Sequence, residues 1–268
     1  MQMSKYFFFS SLLVCLSLFS CKENSAQQNA ILTDQDGFTY ETAFDGIEAF
    51  LDYQKKVDQR SDLQNLRSLL YTHKNGMNLQ STAKIDNTGE LAKAELNKVL
   101  ENGQQLNYTF YFLKGVLSTA KIENVNQEKS QTHVVFFNAE QSPIASYICH
   151  STASESEPNK NLKLNKNKPS FYKDIESTLQ QLSNLQNQEG DFTLHFLGFN
   201  EAYNKRFIEF GNDTYTTNLA FIPQETLVQK IQSNPDSYRN KTFNIQFQEI
   251  TEASGFSYQL LTEIIEKQ

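Results

Sequence analysis

The chain predicts an α+β fold in which mainly antiparallel sheets carry flanking helices. Three observations lead there. Apolar residues recur first at helical spacing and then in strict alternation; strand-like runs follow one another instead of alternating with helices; and turn residues separate them at short intervals. Two stretches also resemble each other: Asn107–Leu113 and Asp191–Leu197 share Thr109/Thr193, Phe112/Phe196 and Leu113/Leu197 at a constant offset. That match suggests two related α-β-β-β units.

Each element has its own signal. From Thr42 to Val57, apolar Phe44, Ile47, Phe50, Leu51 and Val57 follow a helical period. A second helix is expected after Ser61, with Gln64 completing a capping box, Leu63, Leu66, Leu69 and Leu70 as its stripe, and His73–Gly76 as its end. Met77, Leu79, Ala83 and Ile85 alternate as a half-buried strand. Thr88 caps an expected third helix from Glu90 to Asn102, closed by Gly103. Four strands follow, at 106–112, 116–123, 132–138 and 144–149.

Residues 150–170 are rich in Ser, Glu, Asn and Lys, with prolines at 158 and 169, and read as a linker or long loop. An amphipathic helix over 171–185, a strand over 192–199 and a hairpin around Gly211-Asn212-Asp213 come next. Pro223 opens a short helix through Ile231, Phe243, Ile245 and Phe247 alternate on a strand, and Leu260, Leu261, Ile264 and Ile265 suggest a closing helix. The organisation expected is a leader over 1–20, a tether over 21–36, an α+β domain over 37–149, the linker over 150–170 and a second α+β domain over 171–268.

Composition narrows function. The chain has 268 residues, 38% of them apolar, which suits a globular protein with a sizeable core. With 24 basic and 31 acidic residues and no Lys/Arg cluster, it lacks the cationic surface that phosphate binding requires, so no nucleic acid partner is expected. The acidic excess suits a basic protein partner instead.

The first twenty residues carry the strongest signal. Lys5 precedes an apolar run from Tyr6 to Phe19, the pattern of an export leader, and the run is shorter than the roughly 20 apolar residues a bilayer-crossing helix needs. It ends in Leu18-Phe19-Ser20-Cys21, which resembles the lipobox of bacterial lipoproteins. The resemblance implies cleavage after Ser20 and acylation of Cys21, palmitate included, so that several chains anchor the protein in the bilayer. Lys22 in second place is similar to lipoproteins sorted to the outer membrane. Once Cys21 is acylated, Cys149 has no disulfide partner within the mature chain.

Chemical motifs are sparse. There is no Gly-x-Ser-x-Gly elbow, no glycine-rich phosphate loop and no metal-ligating spacing among His73, His133, His150 and His195, so no cofactor or metal is expected and no catalytic residue is assigned. Asp34-Gln-Asp36-Gly37 opens like a calcium loop, but Phe38 and Asp45 stand where ligands belong, and it reads as a turn. Cys149 and His150 are neighbours on a strand, which points them to opposite faces, and Cys149 reads as a small core residue. Glu123 and Glu209 occupy similar places in the apparent repeat and suggest paired-carboxylate chemistry; His195 is the alternative base. Tyr108, Tyr111, Tyr203 and Tyr215 are the available aromatic platforms in a chain with no Trp. The expectation is therefore a membrane-anchored binding or interaction module of the cell envelope, non-enzymatic, with a glycan or peptide hydrolase and a structural subunit as alternatives.

Overall fold

The computed structural model describes residues 47–126, 129–152, 172–222 and 226–267. Among these are thirteen strands and three α-helices, and the chain divides into two compact units. The fold is mostly β. The expected α+β class with flanking helices is therefore corrected. The stretches expected as helices over 61–74, 90–102 and 260–265 are strands and turns, because their apolar residues are spent on sheet faces.

Among the described residues, the first unit takes in 47–67, Thr82–Asn97, 103–126, 129–152 and 172–178. Helix α1 (Ile47–Gln59) opens it. Its strands are β1 (Gln64–Arg67), the second half of β3 (Asn78–Ile85), most of β4 (Leu91–Val99), β5 (Gln105–Leu113), β6 (Val116–Val125), β7 (Lys129–Phe137) and β8 (Pro143–Thr152). β5 to β8 form an antiparallel meander, and β1 lies antiparallel to β3. The apolar stripe of α1 explains its packing. Phe50 is buried with Val134 and Phe136, its ring 4.9 Å from that of Phe136, and Val57 is buried with Leu63, Ala92 and Tyr111. Tyr53 fixes the helix with a hydrogen bond from its hydroxyl to the Phe112 carbonyl at 2.6 Å.

The second unit takes in Ser68–Ser81, Lys98–Asn102 and Leu179–Gln268. It holds β2 (Tyr71–His73), the start of β3, the later turns of α2 (Tyr172–Asn187), β9 (Leu194–Ala202), β10 (Lys205–Gly211), β11 (Tyr215–Ala220), α3 (Thr226–Ser233), β12 (Thr242–Thr251) and β13 (Ser257–Glu266). Five of these strands close on themselves. β9 pairs with β10, β10 with β11, β11 in parallel with β13, β13 with β12, and β12 returns to β9. In chain order the ring reads 1-2-3-5-4, with α3 between its third and fourth strands, a Greek-key barrel of the kind OB-folds use. Leu194, Phe196, Ile208, Phe210, Leu219, Phe243 and Ile245 are buried in it, and the Phe210 ring lies 5.5 Å from that of Phe243. β2 extends the barrel by pairing with β11.

The expected duplication is corrected as well. Its first copy needs a helix before Asn107, and β4 stands there. Thr109 lies within β5, whereas its counterpart Thr193 precedes β9. The two aromatic stretches are alike because buried strands select the same residue types. The expected leader, Cys21, the tether and the Asp34–Gly37 turn lie outside the described residues, as does 153–170 of the expected linker.

Candidate functional site

β9 and β10 are joined by Tyr203 and Asn204 alone, both in the left-handed region, with φ of 51° and 58°. Two successive positive φ angles make the tight hairpin turn that matches strand twist. Asn adopts that conformation readily; a bulky side chain there costs about 1–2 kcal/mol. Tyr203 is nonetheless 77% exposed, so burial does not offset that cost.

The other hairpin at this end of the barrel joins β12 to β13 through Glu252–Phe256. Its turn is set by the Gly255 amide donating to the Glu252 carbonyl, with Gly255 at φ 86°. The two loops meet through aromatic rings. Tyr203 and Phe256 have ring centroids 4.9 Å apart, and Phe256 stacks on Tyr258 at 5.8 Å with the planes 29° apart. The Lys205 ammonium sits 4.6 Å above the Tyr258 ring and pairs with Glu252 at 2.6 Å. Its hydrogen bond to Glu252 holds that ammonium above the ordinary lysine value. Across the β9–β10 hairpin, Arg206 pairs with Glu201 at 3.3 Å. On the strand face opposite Tyr258, the Thr251 and Ser257 hydroxyls lie 2.8 Å apart. The result is a cluster of three rings in which Tyr203 is exposed and Phe256 and Tyr258 are half-buried, with Lys205 over the Tyr258 face and paired charges alongside.

Of the four tyrosines singled out as platforms, the structure leaves only Tyr203 widely exposed. Tyr111 is 5% and Tyr215 7% exposed; Tyr215 packs edge-on against His73 and tilted against Phe192. Tyr108 is half-buried on β5, and burial above all raises its hydroxyl pKa. Phe256, Tyr258 and Lys205 escaped the sequence reading because 260–265 was expected to be helical, which hides the β12–β13 hairpin.

The residues singled out for chemistry are dispersed. Glu123, on β6 of the first unit, is ion-paired with Lys121 at 2.7 Å; Glu209, on β10 of the second, is half-buried opposite Gly198. His195 is half-buried on β9, level with Gly211 and Thr242. His73 is hydrogen-bonded through Nδ1 to the Asn75 side chain at 2.6 Å and belongs to a turn. His133 lies on β7 and His150 on β8, paired in register with Ile148 and Gln131 respectively. Cys149 is a half-buried free thiol whose pKa is raised, chiefly by burial, which disfavours the nucleophilic thiolate. Among the described residues, no three His, Cys, Asp or Glu side chains are grouped to hold a metal ion, and no helix is long and apolar enough to cross a membrane.

No protein-family model, no curated protein and no solved structure matches the chain.

Proposed function

We propose that the protein is a bacterial cell-envelope lipoprotein, held in the outer membrane by acyl chains on Cys21, that works as a binding module and not as an enzyme. The observation that carries this reading is Leu18-Phe19-Ser20-Cys21 at the end of the apolar run that follows Lys5. A small residue before cysteine and leucine three before it fit a signal peptidase that cuts next to a lipidated thiol. More than one acyl chain is needed for stable anchoring, because a single chain gives only marginal, reversible attachment.

The binding half of the proposal draws support from the barrel. The β9–β10 hairpin presents the exposed Tyr203 ring on a sheet, the arrangement by which a scaffold displays recognition residues. The hydrolase alternative has less behind it, since Glu123 is ion-paired with Lys121 at 2.7 Å.

Fractionation of cells carrying the full chain tests the anchor. The wild-type protein is expected in the membrane pellet and resistant to high salt, and Cys21→Ser is expected in the soluble fraction or retained as the uncleaved precursor. A Cys21→Ser protein that is cleaved and still pellets like the wild type overturns the proposal.

A further inference from the structure

We propose that β8 is the interface through which two copies of the chain pair edge to edge, as antiparallel strands about a two-fold axis at Ile148. This goes beyond the lipoprotein reading and does not depend on it.

The fold leaves this edge open. In the second unit, β9 to β13 close into a barrel, the arrangement that removes strand edges. In the first unit two edges remain among the described residues: β1 pairs only with β3, and β8, the last strand of the meander, pairs only with β7. An edge strand carries a row of backbone N–H and C=O groups ready to pair with another strand, and proteins blunt it by shortening it or placing charge on it. β1 has both devices, being four residues long and ending in Arg67. β8 has ten residues, Pro143–Thr152, and no Lys, Arg, Asp or Glu among them. Its guards are confined to one end, where Pro143 has no N–H and the register shifts opposite Phe136 and Phe137. From Ala145 to Thr152 the ladder to β7 is regular.

Side chains set the partner and the register. Ala145 and Tyr147 pack against the cluster of Phe50, Val134 and Phe136 beneath α1. Ile148 points to the other face and is 47% exposed, and Ile144 is 46% exposed. A second copy of β8 covers Ile148 with its own counterpart when the two-fold axis passes through that residue. The same register sets 144 opposite 152 and 146 opposite 150, so the whole strand beyond Pro143 is used. No like charges then face each other across the pair, although the chain carries a net charge of −7. The segment that follows β8 supplies no rival strand: 153–170 is dominated by Ser, Glu, Asn and Lys, with prolines at 158 and 169, a composition that strands avoid. Affinity comes from the main-chain hydrogen bonds of the added strand. Because each copy contributes the same edge, the symmetry closes and assembly stops at two.

The test uses the full-length protein in detergent, examined by analytical ultracentrifugation over a concentration series. A dimer that dissociates on dilution is expected. Ile148→Lys sets like charges against each other at the axis and is expected to weaken dimerisation at least about tenfold, while the melting temperature of the dilute monomer stays unchanged because the side chain is exposed. Disulfide trapping reads the register independently. In a Cys149→Ser background, Ile148→Cys is expected to form a covalent dimer when copper-catalysed dioxygen oxidises the two thiols, whereas Asn65→Cys on β1 is expected to remain monomeric. A protein that stays monomeric at about 100 μM overturns the proposal. So does a dimer that Ile148→Lys leaves intact, an assembly larger than two, or crosslinking through Asn65→Cys as efficient as through Ile148→Cys.

Discussion

Single residues hold the first unit together through one buried charge. Lys93 on β4 is 8% exposed, and its ammonium reaches Asp58 of α1 at 2.8 Å and Glu95 at 2.7 Å. The Tyr111 hydroxyl donates to the second oxygen of Asp58 at 3.0 Å. Burial alone would lower the Lys93 pKa, but the hydrogen bonds to Asp58 and Glu95 outweigh it and the ammonium is held above the ordinary lysine value. Asp58→Ala removes an acceptor from both partners and is expected to cost about 1–3 kcal/mol in urea unfolding. Lys93→Met is expected to cost less, because Asp58 and Glu95 keep contact with water. The raised value sets the pH dependence. The stabilisation from Lys93 is complete below the unfolded lysine pKa of about 10.4 and is lost only as pH climbs through the higher folded value. The stability gap between wild type and Lys93→Met is therefore expected to be flat near neutrality and to close only in strong alkali. Cys149 gives a second prediction. With its pKa raised, its reaction with a thiol reagent at neutral pH is expected to be much slower in the folded protein than in urea.

At the level of elements, the turn between β10 and β11 is the tightest point of the barrel. Gly211 has φ 149°, and a Cβ there would lie 2.1 Å from the Tyr215 carbonyl oxygen and 2.8 Å from the Thr216 Cα. Backbone atoms cannot give way as a side chain can, so Gly211→Ala is expected to destabilise by about 3 kcal/mol or more. Gly198→Ala, on β9 with open space around it, is expected to change stability by less than about 0.5 kcal/mol. The same local chemistry explains which elements could be read from the sequence. α1, α2, α3 and most strands were legible because one face of each is apolar at the right period. The three misread stretches failed for identifiable reasons. Thr88, expected as a helix cap, belongs to a turn in which its amide donates to the Asp86 side chain, and Gly76, expected past a helix end, closes a turn to the His73 carbonyl. Asx turns and left-handed glycines end strands as well as helices. β4 is buried at Leu91, Ala92, Lys93, Ala94 and Leu96, so it shows no clean alternation. Opposite Gln246 and Phe247 of β12 the register shifts, leaving Thr262 of β13 as an extra residue. Buried Gln259 and Leu261 therefore precede buried Ile264, and a bulge imitates helical spacing.

For the molecule as a whole, the proposed address and the ring cluster differ in how the sequence carries them. The proposed leader and Cys21 lie in one contiguous stretch, a signal that needs no folding to be read. Tyr203 was visible only as one tyrosine among several, because its partners Phe256 and Tyr258 lie some fifty residues on and reach it through barrel closure. The central claim is a binding body moored to a membrane by a modified cysteine. Intact-mass spectrometry of the protein extracted from membranes tests it most directly. The account predicts a chain that lacks residues 1–20 and carries the added mass of a diacylglyceryl group and an N-acyl chain on Cys21. A mature chain with an unmodified Cys21 thiol, or one cut elsewhere and bare of lipid, would contradict it.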